Sequence, residues 1–121
     1  MNYAIQTIEN FDRKVKQLAK KYRSMPDDLE TLKADLLKNP EMGDDLGDNT
    51  RKVRMTIASK NKGKSGGARV ITCNVLVSIE NTDIYLLTIY DKSVQDNIST
   101  KEITKLKRES GLTLPYDYIY L

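Results

Sequence analysis

Residues 51–72 read Arg-Lys-Val-Arg-Met-Thr-Ile-Ala-Ser-Lys-Asn-Lys-Gly-Lys-Ser-Gly-Gly-Ala-Arg-Val-Ile-Thr, and two folds compete for them. From residue 58 onward, Ala-Ser-Lys-Asn-Lys-Gly-Lys-Ser satisfies a relaxed phosphate-loop pattern. That motif works only where Gly-Lys-Ser opens a helix whose first amides face the phosphates. Here Gly66-Gly67 follow instead, and then the β-rich run Ala68-Arg69-Val70-Ile71-Thr72. On the other side, Val53, Met55 and Ile57 alternate with Arg54, Thr56 and Ala58, the period of a strand with Arg54 on the face opposite the core residues. A strand on each side makes the glycine-rich segment a hairpin tip, and the nucleotide-binding reading is set aside.

Outward from that hairpin, the β-rich run extends over residues 68–79, and a second covers 84–90, joined by the turn Glu80-Asn81-Thr82-Asp83. The result is a three-stranded antiparallel meander. Upstream, Phe11, Val15, Leu18 and Tyr22 recur at helical spacing between charged residues, and Leu29, Leu32, Leu36 and Leu37 form a second stripe that stops at Asn39-Pro40. Ser24, with Asp27 three residues on and Pro26 in the first turn, resembles the start of that second helix. Residues 2–7 suit a short strand. The acidic segment 43–50 reads as a loop, and its Asp44, Asp45 and Asp48 lack the ligand spacing of a calcium loop. Ser99 and Glu102 form a capping box, Ile98 and Ile103 a hydrophobic staple, and Gly111 a stop, which defines a third helix. Helices and strands are segregated, so the fold class is α+β: an N-terminal strand, a two-helix hairpin, the meander and a C-terminal helix. The 121 residues form a single domain, 1–121. Its extension, 112–121, carries Tyr116, Tyr118 and Tyr120 at strand periodicity and is expected to be ordered.

Composition narrows the chemistry. Histidine and tryptophan are absent and there is one cysteine. Imidazole catalysis, His/Cys zinc sites and internal disulfides are thereby excluded, and neither a metal nor a cofactor is expected. No apolar run approaches a membrane span, residues 84–87 being representative. The N-terminus has no secretory pattern, and together these features point to the cytoplasm, away from membranes.

The net charge of +3 hides an asymmetry. Residues 49–79 contain no Asp or Glu but hold Arg51, Lys52, Arg54, Lys60, Lys62, Lys64 and Arg69, a charge of +7. The other 13 cations and 17 anions give −4. Like charges gathered in one folded stretch repel, and a polyanion offsets that cost. The partner suggested is nucleic acid.

The stretch from Lys60 to Ile71, preceded by Arg51-Lys52-Val53-Arg54 and followed by Tyr85-Leu86-Leu87-Thr88-Ile89-Tyr90-Asp91-Lys92-Ser93, resembles the RelE/HigB toxins of bacterial type II toxin–antitoxin systems. The combination Gly-Lys-x-Gly-Gly-x-Arg with a later Tyr-x-Lys carries the resemblance, which covers residues 8–111. It implies a metal-independent endoribonuclease that enters the ribosome and cuts messenger RNA, held inactive by an antitoxin with a helix-turn-helix domain. By the resemblance, Lys52, Arg54, Arg69, Tyr90 and Lys92 line the active face, and Arg51, Lys60, Lys62 and Lys64 hold ribosomal or messenger RNA.

The chemistry is consistent with those residue types. Attack by a 2′-hydroxyl needs a proton acceptor, cations for the phosphorane and a donor for the leaving 5′-oxygen. Departures from the family are visible. RelE proteins place an arginine just after the third meander strand and a tyrosine near the last helix, whereas here Ser93 follows Lys92 and residues 96–99 have no tyrosine. The general acid and base stay open among Lys52, Tyr90 and Asp91, and Asp91 also suits a plain ion pair with a lysine. Two other functions fit the same fold: a ParE-like toxin of gyrase, and a non-catalytic RNA-binding module.

Overall fold

The computed structural model describes residues 2–60, 63 and 66–112. Strand β1 (Asn2–Thr7) leads to helices α1 (Glu9–Lys21) and α2 (Met25–Lys38). The hairpin β2 (Asp44–Gly47) and β3 (Thr50–Met55) follows, then a short 3-10 turn at Ala58–Lys60. Strands β4 (Ala68–Leu76) and β5 (Asn81–Asp91) and helix α3 (Thr100–Glu109) complete the order. The five strands form one sheet in the order β1-β5-β4-β3-β2; β1 runs parallel to β5, and every other pairing is antiparallel. The expected α+β architecture, with its hairpin across the glycine-rich tip, is what the chain adopts.

The layers follow from the apolar periods. The α1 and α2 stripes, with Phe11, Met25 and Leu36 almost fully buried, pack on Val53, Met55, Val70, Ile84, Leu86 and Ile89 of one sheet face. The opposite face is smaller: Ile71, Cys73 and Leu87 meet Ile103 of α3, with Ile98 packed beside them. Ser99 caps α3 by accepting from the Glu102 amide at 3.1 Å, and that bond with the Ile98–Ile103 pair sets where the helix begins.

Two local expectations are corrected. Residues 44–47 are a strand, not part of a loop, joined to β3 by Asp48 and Asn49, both at positive φ (51° and 57°), the conformation of a tight hairpin turn. The turn of the second hairpin lies at residues 77–80, because β4 ends at Leu76 and β5 begins at Asn81. The expected start of α2 is observed, with Ser24 at the N-cap position and Pro26 in the first turn, but the Ser24 hydroxyl makes no capping bond; it donates to Asp28 Oδ2 at 2.7 Å, and Asp28 in turn accepts from the Ala58 amide at 3.1 Å. Of the extension 112–121 that is expected to be ordered, residues 113–121 lie outside the described residues.

A β-bulge sets what each end of β5 presents. Ile71 pairs with Thr88 and Thr72 with Leu86, so Leu87 is an extra residue on β5. Before it, Ile84 and Leu86 face α1 and α2, and Tyr85 faces the other way. After it the parity has shifted by one, so that Ile89 and Asp91 face the two helices and Tyr90 faces the α3 side.

Candidate functional site

Cross-strand register brings the sequence-selected residues together in two neighbouring rows. Lys52 lies opposite Ile71, which lies opposite Thr88, and one step on Arg54 lies opposite Arg69, which lies opposite Tyr90. Alternation puts both rows on the α3 side, because Val53, Met55 and Val70 between them belong to the helix-covered core. Strands lie about 4.8 Å apart, so each row is a ladder of side chains within reach of a single phosphate group and its neighbours. Lys92 joins just beyond β5, its amide bonded to the Gly67 carbonyl at 3.0 Å.

The chemistry differs from row to row. Arg69 is buried, with one guanidinium nitrogen 3.2 Å from the Ala68 carbonyl, so its fork is held by the sheet. Tyr90 beside it is also buried, and its hydroxyl has no hydrogen-bond partner among the described residues. Burial pushes the Tyr90 phenol above its ordinary value; the Arg69 guanidinium opposes that rise and the Asp96 carboxylate adds to it. At neutral pH Tyr90 therefore keeps its proton and is not a ready general base. Lys92 Nζ is bound by Asp96, 2.7 Å from Oδ1 and 2.6 Å from the backbone carbonyl. Lys52 Nζ reaches Asn97 Oδ1 at 3.5 Å and borders a cleft of about 230 Å³ between the β2–β3 hairpin and α3. Arg54 is exposed; from the edge of the sheet it also lines a second cleft with Thr31 and Asp35 of α2. Among the described residues no group of three His, Cys, Asp or Glu is placed to hold a metal ion.

The residues expected to hold RNA are distributed differently. Lys60 is not on an open loop tip. Its Nζ lies 2.5 Å from Asp91 Oδ1 and 2.8 Å from Ser93 Oγ, its side chain is 9% exposed, and the Tyr22 ring centroid is 5.7 Å away. Asp91 also accepts from Tyr22 Oη at 2.5 Å and from the Ser93 hydroxyl and amide at 2.7 and 3.0 Å. Burial alone would raise the Asp91 carboxyl, but the bonds from Lys60, Tyr22 and Ser93 outweigh it and hold the group well below the usual carboxylate range. Asp91 and Lys60 thus form a buried ion pair on the helix-covered face, and the alternation of adjacent strand residues keeps them away from Tyr90 and Arg69. Arg51 shares that face and is anchored by Asp45 at 3.9 Å and the Gly43 carbonyl at 3.4 Å. Lys62 and Lys64 lie outside the described residues. The sequence reading missed Asp96 and Asn97; the Lys92/Asp96 spacing of four residues was the only available signal.

Comparison with known proteins agrees with this geometry. The family model described as the RelE toxin of the RelE/RelB toxin–antitoxin system matches residues 11–117. A solved structure of a double mutant of the E. coli toxin RelE in the free state superposes with a TM-score of 0.52 at 15% sequence identity. That match covers 79% of this chain and 90% of the other. It is a likeness of fold, and the family match spans most of the sequence. The chain belongs to the RelE family, the toxins of RelE/RelB toxin–antitoxin systems.

Proposed function

We propose that this toxin is a ribosome-dependent endoribonuclease that cleaves messenger RNA through its 2′-hydroxyl without a metal, and that it works in the cytoplasm under the control of an antitoxin carrying a helix-turn-helix domain. The observation that carries the reading is the pair of rows on the α3 side, where Lys52, Arg54, Arg69 and Tyr90 share one sheet face with Lys92 at its end. In the proposed reaction the 2′-oxygen attacks the adjacent phosphorus and the bond to the 5′-oxygen breaks, leaving a cyclic phosphate and a 5′-hydroxyl. Arg69, fixed within the sheet, and Lys52 stabilise the extra negative charge of the phosphorane. Lys52 accepts the proton released by the 2′-hydroxyl and, as the resulting ammonium, faces the phosphorane, while Lys92 gives a proton to the departing 5′-oxygen. Tyr90, the cross-strand neighbour of Arg69, holds that side chain in place by its bulk, not through its hydroxyl. Asp91 has no part in the chemistry because its oxygens are occupied on the opposite face. Family membership supports the toxin reading, and the acid-free basic segment favours RNA as the target.

The test is to incubate purified toxin with programmed ribosomes in excess chelator and to map the RNA ends. Cuts confined to ribosome-bound message, with cyclic or 3′-phosphate ends, are expected. Strong cutting of naked RNA refutes ribosome dependence. Intact message with poisoned gyrase assigns the fold to the gyrase-directed class, and intact message with bound RNA leaves only a binding module.

A further inference from the structure

The segment linking β5 to α3, residues 92–99, sets one carboxylate among the cations of the reaction face. Asp96 Oδ1 lies 2.7 Å from Lys92 Nζ, and the same ammonium donates to the Asp96 backbone carbonyl at 2.6 Å. The next residue, Asn97, receives Lys52 Nζ at 3.5 Å, so lysines from two strands converge on this short segment. Asp96 differs from the other carboxylate bound to a lysine nearby. Asp91 has 3% of its side chain exposed and four donors around it, whereas the Asp96 side chain is 97% exposed and its carboxylate has Lys92 as its one donor among the described residues. Its hydrogen bond to Lys92, the charge of Lys92 and the more distant Lys52 hold its carboxyl below the usual range, and Asp96 in turn raises the Tyr90 phenol. Lys52, Lys92 and Tyr90 thus share one anion.

To an ammonium group a carboxylate and a phosphodiester are equivalent: each presents an anionic oxygen at hydrogen-bonding distance. We infer that Asp96 is an internal substitute for the RNA phosphate, seated on Lys92 beside Lys52, and that an incoming phosphodiester must displace it before it can reach Arg69. The inference rests on reading this face as the RNA site. It gives Asp96 the part of a specificity-determining residue. An exposed ion pair is weak, so the carboxylate can be displaced. Because it is tethered, however, it competes at an effective concentration of about millimolar, the level at which non-specific RNA contacts are themselves weak. Free RNA then meets an occupied seat, while RNA delivered and oriented by a larger body such as the ribosome overcomes the competition.

Two measurements on Asp96→Asn test this. The first is fluorescence anisotropy with a labelled all-deoxy hexanucleotide, which has phosphodiesters but no 2′-hydroxyl to react. The variant is expected to bind about three- to tenfold more tightly than wild type, the gain that follows from removing a weak competing ion pair and one repelling charge. In the Lys92→Met background the same change should gain less than about twofold, because the seat itself is gone. The second is single-turnover cleavage on programmed ribosomes, where the half-saturating concentration should fall and the saturated rate should not. Unchanged or weaker hexanucleotide binding overturns the inference, since the pair then orients Lys92 and does not occupy its seat. A saturated rate more than tenfold lower also overturns it and makes Asp96 a proton-handling group. If neither protein cuts message on ribosomes, the nuclease reading fails while the binding measurement still decides the role of Asp96.

Discussion

Replacing Asp91 by asparagine keeps the shape of the side chain and removes its charge, which isolates the buried pair with Lys60. In the wild type the Asp91 side chain is 3% exposed and takes hydrogen bonds from Lys60, Tyr22 and Ser93. The Lys60 side chain is 9% exposed, so its ammonium would stay desolvated with no counter-charge. Breaking a buried pair from one side costs about 3–5 kcal/mol, because the remaining charge is uncompensated. For a chain of 121 residues, each kcal/mol lowers the melting temperature by about 3–5 °C, and the expected fall is about 10–20 °C. Adding Lys60→Met removes the stranded charge, so the double variant should melt above Asp91→Asn alone. The pH dependence has a defined sign. The folded-state Asp91 carboxyl is depressed, so its stabilisation is complete above the unfolded value of about 3.9 and drains away as pH falls below it. Thermal melts followed by circular dichroism between pH 3 and pH 7 should therefore show a steeper acid loss for wild type than for Asp91→Asn. A variant that melts within about 2 °C of wild type, or a double variant less stable than the single, would refute the argument.

Other expectations follow from the same contacts. Tyr22→Phe removes one charge-assisted hydrogen bond to Asp91 and should cost about 1.5–3 kcal/mol in urea titration. Gly67→Ala would place a Cβ 2.1 Å from the Met55 carbonyl, a backbone atom that cannot swing aside, and should lower the urea midpoint with an unchanged slope. Arg69→Ala should slow single-turnover cleavage on saturated ribosomes more than tenfold, a loss of about 1.4 kcal/mol or more of transition-state stabilisation. Lys62→Ala combined with Lys64→Ala should instead weaken ribosome binding and flatten its salt dependence, measured by pelleting at two salt concentrations.

The sequence exposed the features that depend on local period or local chemistry. The α1 stripe, the Ser99 cap and the alternation of Val53 and Met55 around Arg54 were all legible, and with them the row that ends in Tyr90. Strand β2 was not, because all four of its residues are exposed and two are aspartates, so no apolar alternation marks it. The end of β4 was overrun because Val77 and Ile79 look like strand residues yet lie 61% and 91% exposed in the turn. Lys60 reads as one of the loop cations because nothing local connects it with Asp91, 31 residues away. Asp96 was overlooked because a lone carboxylate in an irregular segment has no pattern until the fold places Lys52 and Lys92 beside it.

The extra residue at Leu87 also bears on how this strand can vary. It acts as a phase shift between two halves of one reading: ahead of it even-numbered positions belong to the core, behind it odd-numbered ones do. Removing Leu87 itself would leave a regular strand with Tyr90 and Asp91 on their present faces, whereas inserting one more residue would exchange their fates, turning the aspartate toward the arginines and the phenol toward Lys60. Both layers would fail together, since a single frame governs the ion pair under the helices and the cations on the other side. Length changes in β5 should therefore survive as loss of the bulge residue, in the turn before Asn81, or as compensating pairs that keep the phase.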